Sequence, residues 1–151
     1  MSVEPSSAEP SSTERSTPTY VHALGLALDP AWRRLPDGER GATGRAFAEE
    51  VGRAPEDGVR TWTYSSIGLQ PGVDVLLWSL GPSLAALEEA AARSLRAGIG
   101  QWMSVHDSFL GVLKPSQYVA KPTEQEQSEF GGERSRYLVV YPFRKSAEWY
   151  L

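Results

Sequence analysis

No cysteine occurs in these 151 residues, and histidine is almost as scarce, with His22 and His106 alone. The first absence excludes disulfides, thiolate metal centres and cysteine nucleophiles. The second leaves little from which to build a zinc site, which draws on imidazole or thiolate ligands. Neither zinc nor a nucleotide is expected as a cofactor. No apolar run approaches the ~18 residues that a membrane-spanning helix needs, so no membrane span is expected. The N-terminus has no basic region followed by an apolar core, as a secretory signal would. The formal charge is −4, which argues against a phosphate-backbone binder and leaves nucleic acid out of the expected partners. A soluble cytoplasmic protein is the default expectation.

What is present supports a folded domain. The hydrophobic fraction is 40%, enough for a real core, and the length is that of one ordinary domain. Residues 1–18 are rich in Ser, Pro, Glu and Thr; they offer too little apolar surface to offset the entropy of ordering, and a disordered tail is expected. Tyr20 to Leu28 alternates as a strand, with Tyr20, His22, Leu24, Leu26 and Leu28 on one face and Val21, Ala23, Gly25 and Ala27 on the other. The leucines mark the core face; the second face is small enough for something to pack closely on it. Asp29-Pro30 ends the strand.

Pro36-Asp37 opens a helix to about Arg53, with Ala42, Ala46, Phe47 and Val51 as its buried stripe. Gly38, Gly41 and Gly44 weaken it by roughly 1 kcal/mol each relative to alanine. Val59 to Leu69 and Val73 to Leu80 read as strands joined by the turn Gln70-Pro71-Gly72. Trp62 and Trp78 are expected in the core. Gly81-Pro82-Ser83 starts a second helix, in which Leu84, Leu87, Ala91 and Leu95 share a face and Gly98 marks the stop. Ser104 to Leu113 is a fourth strand. His106 and Asp107 are neighbours on it, and alternation predicts that they point to opposite faces and do not pair. His22 and His106 are both read as structural or surface residues.

The order strand, helix, strand, strand, helix, strand predicts an α+β fold: a ferredoxin-like βαββαβ domain over residues 19–113, an antiparallel sheet with two helices on one face. Residues 114–136 form a long polar connection, a length that is functional or disordered more often than not.

Residues 137–151 are the most aromatic part of the chain. Tyr137 to Tyr141 reads as a buried strand, and Pro142 should end it or put it at an edge. Arg144, Lys145, Trp149 and Tyr150 follow within a few residues. Phenol, cation and indole side by side suit a flat anionic ligand; a core strand with an amphipathic tail is the plainer alternative.

The segment Tyr137-Leu138-Val139-Val140-Tyr141-Pro142-Phe143, followed by Lys145-Ser146 and Glu148-Trp149-Tyr150-Leu151, resembles the central motif of the chlorite dismutase-like superfamily. Within it, Tyr-Pro-Phe with Glu-Trp-Tyr resembles the coproheme decarboxylase branch, the hydrogen-peroxide-dependent haem synthases. Leu28 to Pro36, Thr63-Tyr64-Ser65, Leu77-Trp78 and Lys114 to Val119 agree with it in order and spacing. The resemblance implies oxidative decarboxylation of iron coproporphyrin III (coproheme) to haem b, with coproheme as both substrate and cofactor and hydrogen peroxide as co-substrate. It implies that Tyr141 is the catalytic tyrosine that carries a radical. A phenol can lose and regain a hydrogen atom where a phenylalanine cannot. It places Lys145, Trp149 and, more loosely, Tyr118 around the propionates, where a cation orients a carboxylate. Arg134 and Arg136 are candidates by charge only.

The family's members are longer, with two ferredoxin-like domains, and a histidine of the second holds the iron. Residues 137–151 would then be the first strand and start of a truncated second domain, and this chain by itself is expected to lack most of the activity. The arginine of the chlorite-decomposing members would lie in the missing second domain, so its absence here leaves chlorite decomposition open as an activity. A homo-oligomer (a pentamer in the family) or a complementing C-terminal half is the expected partner. The alternative is a non-catalytic ferredoxin-like dimerisation or interaction module, or a gene fragment.

Overall fold

A computed structural model describes residues 19–53, 58–113, 134–143 and 146. The strands are β1 (Thr19–Leu28), β2 (Arg60–Gln70), β3 (Val73–Gly81) and β4 (Met103–Leu113); the helices are α1 (Asp37–Val51) and α2 (Leu84–Arg96). The four strands form one antiparallel sheet in the order β2-β3-β1-β4. This is the ferredoxin-like βαββαβ arrangement, with element bounds within about two residues of those expected.

Both helices cover one face. Leu24 of β1 lies opposite Leu77 of β3, and Leu26 opposite Val75. These side chains meet Phe47 and Val51 of α1 and Ala91 and Leu95 of α2 in a single core. Leu26 is fully buried. Its truncation to alanine is expected to cost about 2–5 kcal/mol, the range for emptying a core leucine site. A urea melt measures it; a loss below about 1 kcal/mol would mean that the core collapses into the gap.

The two helices form for different reasons. In α2 the Ser83 hydroxyl accepts from Ala86 N at 3.1 Å, capping the first turn, while Arg93 and Arg96 sit in the last turn and oppose the helix dipole. Leu87 is buried in its first turn. Helix α1 has no side-chain cap, and Phe47 is its one buried residue; Ala42 and Ala46, expected in its buried stripe, are exposed. The Gly98 turn comes close to the Thr43–Phe47 stretch, but it brings no side chain to cover Ala46. Packing holds α1 in place: Arg93 Nε donates to Glu50 Oε1 at 3.0 Å, joining α2 to α1, and Trp32 Nε1 donates to Thr43 Oγ1 at 3.0 Å.

Trp62 and Trp78 lie opposite each other on the sheet face away from the helices, half-buried rather than in the core. Period-2 parity decides this: both are one step out of phase with Leu77 and Thr63, which face the helices. The β2–β3 turn is as expected, with Gly72 at φ 78°, the conformation that a glycine after proline supplies.

Tyr137 to Tyr141, expected as a fifth strand, is not a strand: residues 134–143 run on without a ladder partner among the described residues. A β-prone sequence needs a neighbouring backbone to become a strand. The expected disordered tail at residues 1–18 and most of the connection at 114–136 lie outside the described residues.

Candidate functional site

The segment 134–143 is anchored at its start. Arg134 Nη2 donates to the Thr63 carbonyl on edge strand β2 at 2.9 Å, and its guanidinium lies 5.2 Å from the Tyr64 ring centroid. Arg136 stacks on Tyr137 at 5.4 Å. Such cation–π contacts fix a flexible cation against an aromatic face. Charge alone nominated Arg134; its partners on β2 are 70 residues away in sequence, and no local signal gives them.

Beyond Arg136 the chain keeps a period of two. Leu138 and Val140 are half-buried, whereas Tyr137, Val139, Tyr141 and Phe143 are exposed. Leu138 and Val140 help line a cavity of about 770 Å³ together with Tyr64, Leu76, Asp107 and Phe109. Tyr141 does not line it. Tyr141 is 80% exposed, with the Phe143 ring at 6.2 Å between centroids. The buried-strand environment expected of Tyr141 is therefore not found: apart from Phe143, no ring among the described residues lies against it. Lys145, Trp149 and Tyr118, the expected propionate contacts, lie outside the described residues.

The histidines are both engaged in the four-stranded unit. His22 and Ser108 share a hydrogen bond of 2.9 Å between Nε2 and Oγ. Burial strips water from the imidazolium and lowers the His22 pKa below the ordinary 6.5. The folded chain thus holds that proton less readily than the unfolded chain. Its contribution is present in full above pH ~6.5 and is lost as pH falls through 6.5 toward the lower folded value. Wild type is expected to lose more stability than His22→Gln between about pH 7.5 and pH 5. Parallel denaturant melts test this, and equal losses would remove His22 as the cause.

His106 corrects the sequence reading. Its Nδ1 lies 3.3 Å from Asp107 Oδ2, although neighbours on a regular strand point apart. A β-bulge allows it: Gly25 pairs with Asp107 and Leu26 with Val105, which leaves His106 unpaired and free to turn. Asp107 Oδ2 also accepts from Gln70 Nε2 at 2.9 Å, so the group ties β4 to the end of β2. The sequence carries no visible mark of the bulge.

A haem would need an iron ligand, and the described residues supply none beside the motif. Neither imidazole lines the cavity bounded by Leu138 and Val140. Two phenols, Tyr64 and Tyr137, and two guanidiniums, Arg134 and Arg136, line it, without a closed pocket around Tyr141. The described residues do not by themselves fit the group.

The sheet order and the helices on one face define a ferredoxin-like α+β unit. The family model for chlorite dismutase matches residues 38–151, and the chain belongs to that family. Solved structures share the fold. A chlorite dismutase from Candidatus Nitrospira defluvii, an arginine-to-lysine mutant, superposes with a TM-score of 0.68 at 20% identity, over 91% of this chain and 58% of that one. The same organism's enzyme in complex with imidazole gives 0.63 at 19% identity, over 74% of this chain and 46% of that one. The chain thus spans about half the length of these structures. Among the described residues no helix is long and apolar enough to cross a membrane.

Proposed function

We propose that this chain is the N-terminal part of a haem-dependent oxidoreductase that decarboxylates iron coproporphyrin III to haem b with hydrogen peroxide. The supporting observation is Tyr141. It stands in the Tyr-Pro-Phe motif and is 80% exposed, outside the cavity that Tyr137 to Val140 help to line. A phenol so placed is open to a ligand carried by an opposing surface. Lys145 and Trp149, within eight residues of Tyr141, and Tyr118 are assigned to the propionate groups. A cation there fixes a carboxylate by a charge-assisted hydrogen bond. When bound, the iron porphyrin supplies the redox chemistry. Its iron ligand comes from outside these residues, in keeping with the greater length of the structural relatives.

A second reading, a non-catalytic association module, is favoured by the engagement of both histidines away from the motif. A visible-absorption titration with iron coproporphyrin separates the two. The enzyme reading expects saturable binding near one equivalent, followed by haem b on adding peroxide, from a polypeptide extended to the length of the relatives. The 151-residue chain should bind weakly or not at all. Absence of binding by the extended polypeptide would overturn the enzyme reading.

A further inference from the structure

Two departures from regular strand geometry meet on the sheet face away from the helices. Strand β2 pairs with β3 up to Ser65 opposite Val75 and again at Gln70 opposite Val73, so residues 66–69 stand against Asp74 alone. This arm carries Gln70 to Asp107, to which Nε2 donates at 2.9 Å. β2 and β4 are opposite edges of the sheet, so the arm crosses over β3 and β1 to make that bond. The bulge in β4 lies at the same place and turns His106 against Asp107. Bulges are common beside functional sites, where they re-aim a side chain.

Between the sheet, the arm and the segment 134–143 lies the cavity of about 770 Å³, a size usual for small-molecule sites. The sheet contributes Leu76 and Phe109, and the segment contributes Leu138 and Val140. Leu69 of the arm also lines it and is 84% exposed, which leaves apolar surface open at the mouth. The charge around the cavity is uneven. Arg134, at the β2 edge, and Arg136 both line it, and among the described residues neither meets a carboxylate. Arg134 spends one of its donors on the Thr63 carbonyl. Asp107, the one carboxylate in the lining, lies on β4 and is already engaged by Gln70 and His106.

We propose that this cavity binds an elongated apolar monocarboxylate of the fatty-acid class, its carboxylate on Arg134 and Arg136 and its chain running across the sheet toward Phe109. A guanidinium holds a carboxylate through paired, charge-assisted hydrogen bonds. Asp107 repels the headgroup from the far end and so fixes the direction of the chain. From β2 to β4 is three strand spacings, ~14 Å, the reach of a medium-length acyl chain. The bound chain covers the open Leu69. The site is separate from the haem reading, because Tyr141 does not line the cavity and binding needs neither iron nor peroxide.

The test is a calorimetric titration of the 151-residue chain with decanoate, kept below its micelle concentration. Saturable binding near one equivalent is expected. Arg134→Gln with Arg136→Gln should weaken it by about 10-fold or more, the order for losing hydrogen bonds to a charged group, with unchanged circular dichroism. Decanol has the chain without the charge; it should bind wild type about 10-fold or more weakly than decanoate does, and the double variant as well as wild type. Val140→Trp, which fills the cavity, should weaken both ligands. Absence of saturable binding, equal affinity for acid and alcohol, or wild-type decanoate binding by either variant would overturn the proposal. In the extended polypeptide, decanoate should leave the Soret titration with iron coproporphyrin unchanged. Displacement would put the acid in the haem site and overturn a separate one.

Discussion

Tyr141→Phe, in a polypeptide extended to the length of the structural relatives, is expected to lower decarboxylation of iron coproporphyrin by roughly 100-fold or more. A phenylalanine has no O–H to give up, so the loss should reach at least the order seen when a positioned proton-transfer group is removed. A 100-fold loss corresponds to about 2.7 kcal/mol of barrier. One exposed hydroxyl contributes only about 1 kcal/mol to binding, so affinity should change less than about fivefold. The split between turnover and binding is what identifies the role. Product measured by mass gives the first quantity, and the Soret titration gives the second. Retained turnover would take Tyr141 out of the chemistry; parallel loss of both would make it a binding residue.

The second large effect is structural. Gly98→Ala is expected to destabilise the chain by about 3 kcal/mol or more, at the severe end for a single substitution. Gly98 has φ 48°, a conformation that costs an alanine about 1 kcal/mol. The larger part is steric. A Cβ there would lie 2.0 Å from the Thr43 carbonyl oxygen and 2.9 Å from Phe47 N, both backbone atoms of α1. The turn that follows α2 touches the α1 backbone directly, and any side chain would push the helix off its seat. Because α1 has no side-chain cap, it depends on its tertiary contacts, and a shift at Gly98 would also strain the Phe47 packing and the Glu50–Arg93 bond. Gly44→Ala is the control. Its site is open, within the same helix, and alanine should add up to about 1 kcal/mol there. Thermal or urea melts of both variants decide the matter; similar effects of the two would mean that α1 can shift without loss.

Much of this was legible in the sequence because it is local. Alternation marked β1 and its leucine face, Pro71-Gly72 marked a turn, and Ser83 with the leucines of α2 marked a capped amphipathic helix. The order of those elements implied the sheet. Gly98 shows where local reading stops. The sequence marks it as a helix stop, but its larger constraint is a contact with α1, more than 50 residues earlier.

By itself the sequence determined the fold class, through hydrophobic period and turn chemistry, and the family, through the motif that runs from Tyr137 through Tyr-Pro-Phe to Glu-Trp-Tyr-Leu. Only the tertiary structure decided what depends on a distant neighbour. It placed Trp62 and Trp78 on the sheet's second face, paired His106 with Asp107 through a bulge, and joined Arg134 to Tyr64. It also left Tyr137 to Tyr141 unladdered and Tyr141 facing outward. A propensity describes one residue and its neighbours in the chain. A strand, a bulge or a close approach exists only when a second stretch of backbone is within reach.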